Sequence, residues 1–313
     1  MKFIKISCAL KLFNVLTLLF LFMISSCTLD MTDYEAERND TVEEVVEFRE
    51  AIVINQDNYK ISIEALNGKF YKGYNEIRLK LSKNNLSISD GKFTVLPILT
   101  NEKGEHSSCP HLYYLNYNAT ENYYTGYVVF TEESNISNWK LYLNFSQDNK
   151  IYKIEQSIEV LKQPNMNLNM TSFTGKDGEQ YIIALIAPQK PKVAENNLVA
   201  GIYKYNKIEK SETTFPDPAQ FSYSEVSNFT LAIDPRMPEP SMGNHSSPNN
   251  KDLVQGNDGL YHGVVNYTMT GNWTLNFILY NQNGLIIKGT KVSTDFTPGI
   301  EGQKSELHIN TLF

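Results

Sequence analysis

The feature that most restricts the fold of this chain is a set of short blocks occurring twice in the same order. Residues 106–108 read His-Ser-Ser and run into Cys109-Pro110; residues 245–248 read His-Ser-Ser-Pro. After the first come Tyr124-Thr-Gly126-Tyr-Val128 and Asn138-Trp139-Lys-Leu141. After the second come Tyr261-His-Gly263-Val-Val265 and Asn272-Trp273-Thr-Leu275. Upstream, Phe93-Thr-Val-Leu-Pro97 parallels Phe229-Thr-Leu-Ala-Ile-Asp-Pro235. The chain has two tryptophans, and they fall in matching places. Four blocks in one order identify a duplicated unit, spanning residues 52–162 and 178–296.

Each copy is a series of short segments alternating at period two. Examples are Tyr59–Leu66, Glu76–Leu81 and Trp139–Phe145 in the first copy, and Trp273–Leu279 in the second. Such alternation marks strands with one buried face. Turn residues separate the segments: Asn67-Gly68, Asp90-Gly91, Asp177-Gly178 and Asn283-Gly284. With 12% aromatics and no long amphipathic helical pattern, the expectation is all-β: two tandem immunoglobulin-like β-sandwiches. A strand-opening tryptophan followed by alternating apolar residues reads as a core anchor. Gly126 and Gly263, each inside a strand-like run, read as points of bulging or close backbone approach. A linker is expected over residues 163–177 and a tail over 297–313, with one more strand in it.

The first residues have the form of a signal segment. Lys2, Lys5 and Lys11 precede an apolar run from Leu12 to Ile24, shorter than the roughly 20 residues that span a bilayer. It ends in Ile24-Ser-Ser-Cys27, which resembles a relaxed lipobox. Residues 1–26 are therefore expected to leave as a lipoprotein signal peptide, with a lipid on the Cys27 thiol. Cys109 is then the one remaining thiol, and no internal disulfide forms. Residues 27–51 are acidic and read as a tether. The mature part carries 25 basic against 35 acidic residues, a net charge of −10. It has no basic stripe, which argues against nucleic acid. The expected setting is a bacterial cell envelope, as an outer-membrane lipoprotein facing the periplasm or the surface.

The second copy adds a chemical pattern. The run Asp234-Pro-Arg-Met237-Pro-Glu-Pro-Ser-Met242-Gly-Asn-His245, then Gly259-Leu-Tyr-His-Gly263, then Tyr267-Thr-Met269-Thr-Gly-Asn-Trp273 resembles the YtkA-like family, related to FixH-like domains. The first copy departs from that pattern: it has no methionine in its loop, and Asn135 stands where Met269 does. Membership implies an envelope β-sandwich, often tied to copper handling. The residues support the chemistry independently, since thioethers with an imidazole suit Cu(I). Met237, Met242, His245 and Met269 are the candidate ligands. His262 lies an odd number of residues from Met269, so on a flat strand the two face opposite sides. A second reading makes these methionines fillers of an irregular core and His245 a turn-stabilising side chain. In the first copy, His106, Cys109 and His111 form a compact cluster that would need further ligands to close a zinc-type site.

No catalytic constellation is present: no Gly-x-Ser-x-Gly, no His-Glu-x-x-His, no phosphate-cradling glycine loop. Two non-enzymatic functions follow. One is copper binding through the methionine loop. The other is an accessory or adhesive module whose sandwiches bind a protein or glycan.

Overall fold

The computed structural model describes residues 47–89, 91–135, 137–208 and 214–312. The signal segment, Cys27, most of the acidic stretch and Asp90 lie outside the described residues.

The protein is all-β, as two β-sandwiches in tandem. The first has seven main strands: β1 (Phe48–Gln56), β2 (Tyr59–Leu66), β3 (Gly73–Lys83), β4 (Lys92–Thr100), β5 (Tyr123–Phe130), β6 (Asn138–Gln147) and β7 (Lys150–Ile158). They form one sheet in the order β1-β2-β3-β5 and a second in the order β7-β6-β4. The strands arise where the alternation predicts them. In β3 the residues Ile77, Leu79 and Leu81 turn inward, while Glu76, Arg78 and Lys80 turn outward. The two inner faces share one core containing Ile61, Leu79, Phe93, Phe130, Trp139 and Phe145.

The second sandwich repeats this plan. Strands β8 (Met170–Thr174), β9 (Gln180–Ala187), β10 (Glu195–Tyr205), β11 (Thr230–Met237), β12 (Lys251–Gln255), β13 (Tyr261–Asn266), β14 (Asn272–Tyr280), β15 (Ile286–Lys288) and β16 (Leu307–Leu312) run in the order β8-β9-β10-β13-β12-β11-β14-β15. Removing β12 leaves β8-β9-β10-β13 and β15-β14-β11, the same two sheets as in the first copy. Register repeats as well. Pro97 lies opposite Leu141, and Pro235 lies opposite Leu275, each leucine two residues after its tryptophan. Trp139 and Trp273 are fully buried, and each indole N–H donates to a backbone carbonyl, Glu132 O at 2.9 Å and Met269 O at 3.0 Å. The acceptor differs in its distance along the chain, being seven residues before Trp139 but four before Trp273.

Two features diverge from the sequence expectation, each for a physical reason, and a third, the strand expected in the tail, is found there. Strand β1 begins at Phe48, inside the acidic stretch, because pairing with β2 satisfies its backbone. The segment 163–177 contains β8 and is held firmly. The Gln163 amide donates to Lys72 O and Leu168 O, both at 2.9 Å, and accepts from Leu168 N at 3.0 Å. The tail supplies β16, which pairs with residues 272–277 of β14, while short β15 takes Leu279 and Tyr280. Together they cover the edge that β7 covers alone in the first copy.

Gly126 and Gly263 also correspond. A Cβ on Gly126 would lie 2.4 Å from the Leu115 side chain, and one on Gly263 would lie 2.5 Å from Lys251 O. Each glycine lets a crossing segment close the gap between sheets. In the first copy residues 110–115 bond alternately to β5 (Leu112 N to Tyr127 O, 3.0 Å) and β4 (Val95 N to Tyr113 O, 2.9 Å). In the second, β12 pairs with both β13 and β11.

The two sandwiches are packed together. Tyr74, Tyr127 and Val129 on the outside of β3 and β5 meet Met170, Ile182, Ala184 and Tyr203 from β8, β9 and β10, with Tyr223 beside them. Burial pushes the phenols of Tyr74, Tyr127 and Tyr223 well above their usual range. Tyr223 donates across the interface to Ser108 O at 3.0 Å. A second contact seats Phe221 on Leu96 and Ile98.

Candidate functional site

The methionine loop sits at one end of the second sandwich. Met237 ends β11 and pairs with His245 in the two-residue strand His245–Ser246. Between them the chain makes one 3-10 turn at Pro240–Met242 and reverses through Gly243 and Asn244, both left-handed. The Asn244 amide fixes the reversal by donating to Ser293 O and Asp295 O. Met237 has no exposed surface, and Met242 and Met269 pack half-buried against the same apolar cluster. His245 Nε2 is 2.8 Å from Thr268 Oγ1, and its ring lies 6.0 Å from that of Trp273. The fold thus puts the Met237, Met242 and Met269 side chains on the apolar cluster that also holds Trp273, and sets His245 beside that indole. His262 points elsewhere, to both oxygens of Asp258 at 3.0 Å.

The first-copy cluster does not come together. His106 is exposed; its Nδ1 lies 3.0 Å from Thr100 Oγ1 and its ring stacks on Phe215 at 4.4 Å. Cys109 is fully buried in the core, where burial raises its thiol well above the ordinary value. His111 lies 2.7 Å from Cys109 O through Nδ1. A carbonyl only accepts, so Nδ1 carries the proton. Burial lowers this imidazole's pKa, and the bond to Cys109 opposes that only in part. The three side chains therefore end in solvent, in the core and half-buried, respectively. Among the described residues, no three His, Cys, Asp or Glu side chains converge on a point that would hold a metal.

A site that the sequence reading missed lies on the outer face of the first sheet. A cleft of about 640 Å³ is lined by Glu47, Phe48, Glu64, Leu66, Glu76, Arg78, Lys80, Glu121, Tyr123 and Gln189. Gln189 belongs to the second sandwich, in the loop after β9, so both copies form the wall. Strand register builds the floor: Phe48 lies opposite Leu66, and Glu64 opposite Arg78. The Arg78 guanidinium lies 3.6 Å from the centre of the Phe48 ring and 4.7 Å from that of Tyr123. Its Nε is 3.2 Å from Glu76, and its Nη1 is 4.0 Å from Glu121. Lys80 bonds Glu64 at 2.5 Å. The Tyr123 phenol is held above its usual range, first by its hydrogen bond to Glu121 and then by burial. The Glu-Ile-Arg-Leu-Lys alternation of β3 carried a hint of this charged face, but its partners come from four other stretches of chain.

Comparison with known proteins adds little. No family model matches the chain, and no curated protein does. Among solved structures it is similar to FdeC, an adhesin of Escherichia coli, at 9% identity and a TM-score of 0.23, over 83% of this chain. The match spans 65% of that chain. Among the described residues, no helix is long and apolar enough to cross a membrane.

Proposed function

We propose that this chain is a lipid-anchored envelope protein that binds a protein or glycan partner without catalysing a reaction. The observation that carries the reading is the Arg78 cleft. It lies within the roughly 300–1,000 Å³ typical of ligand sites, and its polar groups are held in place by β-strand register and ion pairs. Preorganised polar groups are what a binding site needs. The Ile24-Ser-Ser-Cys27 segment fits the same role, because a module anchored by a lipid there would present its cleft to whatever lies beside the membrane. A retention assay tests the reading: the mature chain is applied to an insoluble envelope fraction, with Gln189→Trp as the variant that fills the cleft. Retention lost in the variant supports the proposal, and equal retention of both proteins rejects it. Cys27→Ala should in turn release the protein from membranes.

One observation favours copper as a second reading, namely the pairing of Met237 with His245 beside Trp273, in the segment that resembles the YtkA-like family. On that reading Cu(I) bound to the folded state raises the melting temperature. The rise disappears in a Met237→Ala, Met242→Ala, His245→Ala triple variant. A melting temperature indifferent to Cu(I) leaves the methionines as packing.

A further inference from the structure

Resting on the binding reading above, we infer that the Arg78 cleft takes an uncharged, hydroxyl-rich ligand: a short neutral oligosaccharide. Three observations on the cleft select this class.

The first is sign. The lining places four carboxylates, Glu47, Glu64, Glu76 and Glu121, against two cations, Arg78 and Lys80. An anionic ligand such as a uronate or a sulfated sugar meets net negative charge there, which repels it.

The second is that each cation is already engaged. Arg78 contacts Glu76 and Glu121 while lying on the faces of Phe48 and Tyr123, and Lys80 contacts Glu64. Arg78 is thus the cation in an aromatic and acidic cage built by the protein itself. A cationic side chain from a partner finds those ring faces already taken by Arg78 and meets the like charges of Arg78 and Lys80 beside them.

The third is the remaining hydrogen-bonding capacity. Each ionised carboxylate has about four acceptor positions and a guanidinium has five N–H donors, so the pairs leave several unused. Gln189 adds an exposed amide with both a donor and an acceptor. Sugar hydroxyls, each donor and acceptor at once, satisfy these groups without breaking an ion pair. Leu66, with the part of Phe48 that Arg78 leaves uncovered, supplies apolar lining for the C–H groups of a sugar ring.

The test titrates the mature chain by calorimetry with cellotriose, mannotriose, galactotriose and N,N′,N″-triacetylchitotriose, then with tetralysine and trigalacturonate. The expected result is that at least one neutral trisaccharide binds, and tetralysine and trigalacturonate do not. Affinity should change less than twofold on going to about 0.5 M sodium chloride, where charge interactions are screened within a few ångströms. Gln189→Trp should weaken the neutral sugar at least tenfold at unchanged melting temperature, since Gln189 is exposed. Glu121→Gln should weaken it less. Saturation by tetralysine or trigalacturonate with no response to neutral sugars overturns the ligand class but leaves a binding module standing. A neutral sugar held equally well by Gln189→Trp overturns the site. Silence of every neutral sugar overturns the inference, and the envelope retention assay then decides separately whether the chain binds anything through the cleft.

Discussion

Replacing Trp139 by phenylalanine leaves Trp273 as the chain's one indole, so the second sandwich can report an injury made in the first. The substitution removes the bond from Trp139 Nε1 to Glu132 O. An orphaned buried acceptor costs about 1–3 kcal/mol. The smaller ring also leaves a void beside Phe130, whose ring lies 5.0 Å from the indole, adding about 1 kcal/mol. The total is about 2–4 kcal/mol. With a urea slope of about 3 kcal/mol/M for a chain of this size, the midpoint falls by roughly 1 M. The side chains buried where the sandwiches meet, among them Val129, Ile182, Tyr203, Leu96, Ile98 and Phe221, are each worth about 1.5–3 kcal/mol when fully buried. Their sum exceeds the injury, so the two sandwiches should still unfold together. Trp273 fluorescence followed through a urea titration should therefore show the whole shift. A Trp273 curve at its wild-type midpoint, with a separate earlier loss of far-ultraviolet circular dichroism, refutes the coupling. The reciprocal variant, Trp273→Phe read through Trp139, should behave alike.

Other consequences concern single side chains. In protein carrying Cys27→Ala and lacking the signal segment, Cys109 should react with a thiol reagent at pH 8 only as fast as the fold opens; rapid labelling without denaturant contradicts its burial. His111 has a lowered pKa in the fold, so the unfolded chain takes up its proton first as pH falls. The stability it contributes is complete above about pH 6.5 and is lost as pH drops through the folded value. His111→Gln should flatten the urea midpoint over that window, and an unchanged slope counts against the assignment. Gly271 has φ +126°, and a Cβ there would lie 2.8 Å from Met237 Cε. Gly271→Ala should therefore lower stability by about 1–3 kcal/mol, whereas Met237→Leu, a volume-conserving swap, should cost less than about 1.5 kcal/mol. The reverse order in thermal melts would mean that Met237 does more than pack.

Much of the fold was legible because a strand with one buried face writes its period into the sequence. Tyr59–Leu66 became β2 at those bounds, and the runs from Trp139 and Trp273 became β6 and β14. Asn67-Gly68, both left-handed, formed the expected turn. What stayed hidden depends on pairing rather than period. Phe48 reads as part of an acidic tether until β2 offers it a partner. The tail strand was expected but its partner was not: Leu307–Leu312 pairs with β14 because β15 leaves part of that strand uncovered. The methionine loop was visible as a cluster of ligand types, but side-chain direction turned its thioethers into the core. The cleft was the least visible feature, since Glu64, Arg78, Glu121 and Gln189 are each unremarkable charged or amide residues until register sets them side by side.

The most direct test of binding through the Arg78 cleft is a backbone-amide chemical-shift map of the mature chain titrated with the neutral trisaccharide it holds most tightly. Perturbations should gather at residues 47–48, 64–66, 76–80, 121–123 and 189, and be missing from the same titration of Gln189→Trp. Shifts centred on residues 237–245 and 269, or spread evenly over both sandwiches, would contradict it.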